Sequence, residues 1–123
     1  MMLRTGLLRS ALLAIALVGI GACSGEIDPV ALRAEVGNAP VVLLSTSSCG
    51  YCRKLRSDLR DWGVAFDDID VEKSSKGRDA YHRVGGRGVP ILLIKGQPVH
   101  GYAPGRARTR LAEAGLIPAA KSK

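Results

Sequence analysis

The residues with the most chemical potential are two cysteines in Thr46-Ser47-Ser48-Cys49-Gly50-Tyr51-Cys52. Before them, Val41-Val42-Leu43-Leu44-Ser45 reads as a buried strand. After them, Cys52, Leu55, Leu59 and Trp62 recur at helical spacing, with Gly63 as the stop. Cys49 is therefore expected at a helix N-terminus, where unpaired backbone N–H groups and the macrodipole favour a thiolate. Arg53 and Lys54 add positive charge one turn on. A free cysteine pKa of ~8.5 falls to ~7 or below in such settings. Cys52, one turn deeper, is in reach to resolve a mixed disulfide formed at Cys49. The pattern points to thiol–disulfide exchange, with Tyr51 shaping substrate access. A purely structural disulfide across so short a loop would stabilise little. A structural zinc site needs four ligands, and Cys49, Cys52, His82 and His100 lack the paired histidine spacing. Copper(I) on Cys49, Cys52 and His100 remains the alternative, in a carrier or adaptor without redox turnover.

A second signal is Gly88-Val89-Pro90, which runs into the apolar segment Ile91 to Ile94. Proline in a strand that otherwise reads as central removes a ladder donor. A cis Val89-Pro90 bond would resolve the conflict and leave Val89 backbone groups free to pair with an extended substrate. Val89 and Pro90 therefore join Tyr51 as candidate substrate-binding residues.

These segments need positioning elements, and the punctuation between them supplies an order. Asp28-Pro29 through Val36, closed by Gly37, reads as a short capped helix. Val41 to Ser45 is the first strand, Gly50 to Trp62 a helix, and Val64 to Val71 a second strand. Ser75 to Val84 reads as a helix despite Gly77. Val89 to Ile94 is the third strand, Lys95-Gly96-Gln97 a turn, Pro98 to Tyr102 the fourth strand, and Pro104 to Ala114 a final helix. The βαβ crossover makes the first two strands parallel, and the closing hairpin is antiparallel. The fold class is α/β with a mixed four-stranded sheet, its chemistry at the carboxyl end of the first strand.

From Val41 to Leu116 the chain resembles the glutaredoxins of the thioredoxin superfamily. The resemblance lies in the strand before Cys49-Gly50-Tyr51-Cys52, in Asp68-Ile69-Asp70-Val71, in Gly88-Val89-Pro90, and in the hairpin ending Gly101-Tyr102. It implies a thioredoxin-like, glutaredoxin-type βαβαββα domain with a short extra N-terminal helix. It also implies a nucleophilic Cys49, a resolving Cys52, a redox disulfide between them, and a cis Pro90 alongside. Thioredoxin itself fits less well, because Leu43 stands where thioredoxins carry a buried aspartate. Glutathione-using glutaredoxins commonly have lysine where this chain has Thr46. They also tend to carry a Gly-Gly-x-Asp segment where it reads Gly101-Tyr102-Ala103-Pro104-Gly105. Both departures argue against efficient use of glutathione as co-substrate, with Arg53, Arg87 and Arg106 as candidates to replace the lost groups. No resident cofactor is expected. The tetrapeptide is also similar to the active site of periplasmic disulfide isomerases, whose dimerisation domain is not expected here.

The 123 residues leave room for one small domain. Arg4 and Arg9 precede the apolar run Ala11 to Ile20, which is too short to span a bilayer and fits a signal-peptide h-region. Ile20-Gly21-Ala22-Cys23 resembles the bacterial lipobox, whose cysteine is acylated after cleavage. Residues 1–22 are thus expected to be a leader and Cys23 a lipidated N-terminus. Residues 23–39 are a linker with the short helix, 40–117 the redox domain, and 118–123 a flexible tail. The expected localisation is the cell envelope outside the cytoplasm, in the periplasm, held on a membrane through a lipid on Cys23. Expected partners are disulfide-containing envelope proteins and a membrane electron-transfer protein, with the chain a monomer. A formal charge of +7 is compatible with nucleic acid, but aromatics at 4% supply few stacking platforms, so no nucleic-acid partner is expected. Trp62 is assigned to the core, His82 and His100 to surface or half-buried positions. Arg106 and Arg110 share a solvated helix face, with an anionic substrate as their alternative role.

Overall fold

A computed structural model describes residues 25–119. The expected leader, Cys23 and the last residues of the tail lie outside these. The elements run α1 (Pro29–Val36), β1 (Val41–Ser45), α2 (Gly50–Asp61), β2 (Asp67–Asp70), α3 (Ser75–Arg83), β3 (Ile91–Ile94), β4 (Gln97–His100) and α4 (Pro104–Glu113). No helix among the described residues is long and apolar enough to cross a membrane.

Each helix starts where its sequence supplies a cap or a proline. Asp28 Oδ1 accepts from the N–H groups of Val30 at 2.9 Å and Ala31 at 3.3 Å, with Pro29 in the first turn. Ser74 Oγ accepts from Gly77 N at 2.9 Å and opens α3. Pro104 opens α4 without a side-chain cap.

The sheet is mixed, in the order β2-β1-β3-β4. β1 pairs parallel with β2 and antiparallel with β3, and β3–β4 form an antiparallel hairpin. Lys95 and Gly96 make its two-residue turn with φ of 48° and 81°, a conformation glycine adopts without cost and lysine only under the demand of the hairpin. β1 and β3 are buried along their whole length, as unbroken apolar runs covered on both faces must be. Val41 and Leu43 pack with Leu55, Leu59 and Leu111 under α2 and α4. Val42 and Leu44 pack with Leu32, Ala80 and Val84 under α1 and α3. This is the thioredoxin-like, glutaredoxin-type fold expected from the sequence, with α1 added. That extra helix is tied to α3 by Arg83, whose Nε and Nη2 donate to the Glu35 carboxylate at 2.6–3.1 Å.

Three strands differ in their bounds from the sequence reading. The second strand starts at Asp67 rather than Val64, because Val64 N–H bonds back to Leu59 O at 2.9 Å and the chain joins β1 only at Val42↔Asp67. Val64 and Phe66 still contribute to the core, from a loop. The third strand begins at Ile91, after a cis Val89–Pro90 peptide bond. Gln97 belongs to β4 rather than to the turn, and the ladder stops at His100.

Candidate active site

The end of β1 delivers the chain to the site through a short polar loop. Ser45 and Thr46 are the buried polar side chains among the described residues, and both lie at its base. Cys49 N–H turns back to Thr46 O at 3.5 Å, and Cys49 takes extended backbone angles as the N-cap of α2. Its sulfur accepts the Cys52 N–H at 3.1 Å, and its carbonyl accepts the Arg53 N–H at 3.2 Å. The cysteine thus occupies the place usually filled by a serine or aspartate oxygen, with its sulfur on one of the unpaired N–H groups of the helix, that of Cys52. Cys49 and Cys52 are joined as a disulfide, with Cα atoms 5.2 Å apart. Their environments differ: Cys49 is half-buried at the surface and Cys52 is fully buried.

The cis-proline loop lies against the pair. Cys49 Sγ is 3.8 Å from Val89 O, and Pro90 is buried beneath it, its carbonyl accepting from Gly101 N at 2.9 Å. Tyr51 is 58% exposed, yet held in place. Its ring stacks on Tyr102 at 5.6 Å between centroids, the Tyr102 hydroxyl donates to Asp58 Oδ2 at 2.7 Å, and Lys54 Nζ sits 5.3 Å from the Tyr51 centroid. The hydrogen bond to Asp58, then partial burial and the Asp58 charge, raise the Tyr102 phenol above the usual tyrosine value.

Five residues singled out in the sequence therefore come together: Cys49, Tyr51, Cys52, Val89 and Pro90. Two open depressions extend from them. One is lined by Gly50, Tyr51, Arg53, Lys54 and Ser57, the other by Gly85, Arg87, Gly88, Val89, His100 and Gly101. A more enclosed cavity of about 260 Å³ between α1 and the far end of β1 is separate from the site. His82 and His100 are exposed, and no cluster of three potential His, Cys, Asp or Glu ligands occurs among the described residues. The copper reading gains no ligand set there. Trp62 is half-buried and packs against the core, its ring facing the Arg108 guanidinium at 5.5 Å. Arg106 and Arg110 are exposed.

One part of the site escaped sequence reasoning. Arg56, on α2, donates through Nε to Asp68 Oδ2 and through Nη2 to Ser45 Oγ at 2.9 Å, while Ser45 Oγ donates to Asp68 Oδ1 at 2.5 Å. This closed triangle fastens α2 to β1 and β2 where the loop leaves the sheet. The sequence offered a serine ending an apolar strand and Asp68 within Asp68-Ile69-Asp70-Val71, but nothing that joined either to Arg56.

The Glutaredoxin family model matches residues 41–99, from the start of β1 to Val99 in β4. Glutaredoxin-C1 of Arabidopsis thaliana is 29% identical over 82 residues, which is 62% of this chain and 66% of the relative. The chain spans about half to two thirds of the length of the curated relatives it matches. Among solved structures, wheat glutaredoxin is 30% identical with a TM-score of 0.56, covering 73% of this chain and 98% of its own. A buckwheat glutaredoxin–glutathione complex is 25% identical with a TM-score of 0.56, covering 72% of this chain and 93% of its own. With the family model matched from β1 into β4 and 30% identity to the wheat protein over 98% of its length, this chain belongs to the glutaredoxin family.

Proposed function

We propose that the chain is a dithiol thiol–disulfide oxidoreductase of the cell envelope, with Cys49 as nucleophile and Cys52 as resolving thiol. One observation carries the reading: the accessible cysteine caps the helix whose first turn buries the second. In the reduced protein the helix N-terminus and the Cys52 N–H favour negative charge on Cys49. Its thiolate attacks one sulfur of a substrate disulfide, forming a new S–S bond and releasing the other substrate sulfur as a thiolate. Cys52, as a thiolate after losing its proton, then attacks Cys49 Sγ. The mixed disulfide breaks, the second substrate sulfur leaves, and Cys49–Cys52 remains oxidised. Two electrons pass to the substrate, and the reverse sequence oxidises a dithiol. Tyr51, Val89 and Pro90 form the surface against which the substrate sulfur is presented.

The buckwheat relative binds glutathione. Here the uncharged Thr46 and Pro104 occupy the two positions where glutathione-gripping groups are expected, which supports protein disulfides as the main substrates. The leader and Cys23 support export and attachment to a membrane by lipid. A reductase there needs electrons from a membrane electron-transfer partner.

Turnover of a disulfide-bonded model peptide by the full chain tests the assignment. Cys49→Ser should abolish exchange, and Cys52→Ser should stop at a peptide adduct on Cys49 visible by mass spectrometry. Undiminished exchange by the Cys49→Ser protein would overturn the reading.

A further inference from the structure

The charge around Cys49 is one-sided. Arg53 and Lys54 are exposed on the first turns of α2 and line the depression on the Tyr51 side. Arg87 is exposed on the loop before Val89 and lines the depression on the cis-proline side, together with His100. None of Arg53, Lys54 and Arg87 forms an ion pair among the described residues. No aspartate or glutamate lines either depression. Asp58, the carboxylate one turn below Lys54, has an oxygen occupied by the Tyr102 hydroxyl. Cys49 adjoins both depressions, next in the chain to Gly50 of one and with its sulfur 3.8 Å from Val89 O of the other, so the reactive sulfur has unneutralised cations in each neighbouring depression. Two further features suit a polypeptide. The Val89 N–H meets no acceptor among the described residues, which leaves a backbone donor beside the sulfur. The exposed Tyr51 ring, braced by Tyr102, offers a rigid apolar shelf.

We propose that this surface docks disulfides held in extended acidic polypeptide, with carboxylates on both sides of the cysteine that Cys49 attacks. Arg53 and Lys54 face one acidic flank and Arg87 the other, while the backbone beside the cysteine pairs with Val89. The proposal rests on the exchange reading above and names its substrate class. Charge complementarity of this kind acts mainly on the rate of encounter and on the choice between partners.

The test uses the reduced full chain and two synthetic disulfide peptides of equal length. One has glutamates and the other lysines on both sides of the cysteine. Second-order rates are read by acid quench and mass spectrometry, each divided by the rate of the same peptide with dithiothreitol to remove its intrinsic reactivity. The glutamate peptide should react about tenfold faster or more, an advantage that raised salt erases. The preference should reverse in the Lys54→Glu, Arg87→Glu double variant. Equal normalised rates for the two peptides, with exchange otherwise fast, overturn the acidic class and leave the oxidoreductase reading standing. Faster reaction of glutathione disulfide than of the glutamate peptide overturns the polypeptide assignment. Failure of every disulfide to react overturns both readings.

Discussion

The backbone N–H of Cys52 donates to the sulfur of Cys49 at 3.1 Å, so the second cysteine of the pair helps hold the first at the cap of α2. The two thiols are unequal in access, since Cys49 is half-buried and Cys52 is fully buried. A reagent added to the folded, reduced protein should therefore alkylate Cys49 at least about tenfold faster than Cys52, as access and thiolate character both require. Peptide mapping after brief iodoacetamide treatment reads the ratio directly. Equal labelling of the two would mean that the first turn of α2 opens in the reduced state.

Gly77 looks like a weak point in α3, where alanine would favour the helix by ~1 kcal/mol. It is buried, however, and a Cβ there would lie 2.6 Å from Ile69 Cγ2 on β2 and 3.2 Å from Ser74 Cβ. Ile69 is β-branched and stiff, so it cannot swing aside cheaply. Gly77→Ala is expected to destabilise the fold by about 1–2 kcal/mol, as overpacking outweighs helix propensity. The midpoint of urea unfolding should fall; a rise would show that β2 yields to the methyl group.

The Ser45–Arg56–Asp68 triangle joins three elements with side chains largely shielded from water, Arg56 being 18% and Asp68 33% exposed. Arg56→Ala leaves the Asp68 carboxylate with Ser45 as its remaining partner and should cost about 1–3 kcal/mol in urea unfolding. Arg56→Lys should recover only part of this, because an ammonium cannot reproduce the two-pronged geometry of a guanidinium. Full stability in Arg56→Ala would reduce the triangle to a surface ion pair.

The Tyr102–Asp58 bond gives the site a pH signature. Its phenol is raised above the ordinary tyrosine value of 10.0. A group whose folded pKa is raised contributes fully at pH below its unfolded value and loses that contribution as pH climbs through the folded one. The brace on Tyr51 should thus be intact throughout the neutral range and fail only in strong alkali. Ultraviolet titration of the wild type minus that of Tyr102→Phe should isolate one tyrosine ionising above pH 10. A difference curve centred at or below the ordinary value would contradict the bond.

Much of this was legible in the chain because it is written locally. Asp28 before Pro29, the unbroken apolar runs of β1 and β3, Lys95-Gly96 and the Cys49–Cys52 spacing each declare themselves within a few residues. What was hidden depends on partners far along the chain. Val64 to Phe66 has the apolar alternation of a strand, yet Val64 N–H is bonded back to Leu59 and pairing with β1 starts only at Val42↔Asp67, so the segment feeds the core from a loop. Gly77 reads as a helix defect until Ile69 is seen against it. Ser45, Arg56 and Asp68 are each unremarkable alone, and so is Asp58 until Tyr102 reaches it. Their roles emerge only after the crossover and the hairpin have brought distant segments together.

The most direct test of the central claim is the reduction potential of the Cys49–Cys52 pair in the full chain, equilibrated against glutathione redox buffers and quenched with an alkylating agent. A working exchange site should titrate as a reversible two-electron couple between about −270 and −120 mV, the lower end marking a reductase and the upper end a disulfide donor. A pair that stays oxidised below about −300 mV would be a structural disulfide, and the oxidoreductase account would be wrong.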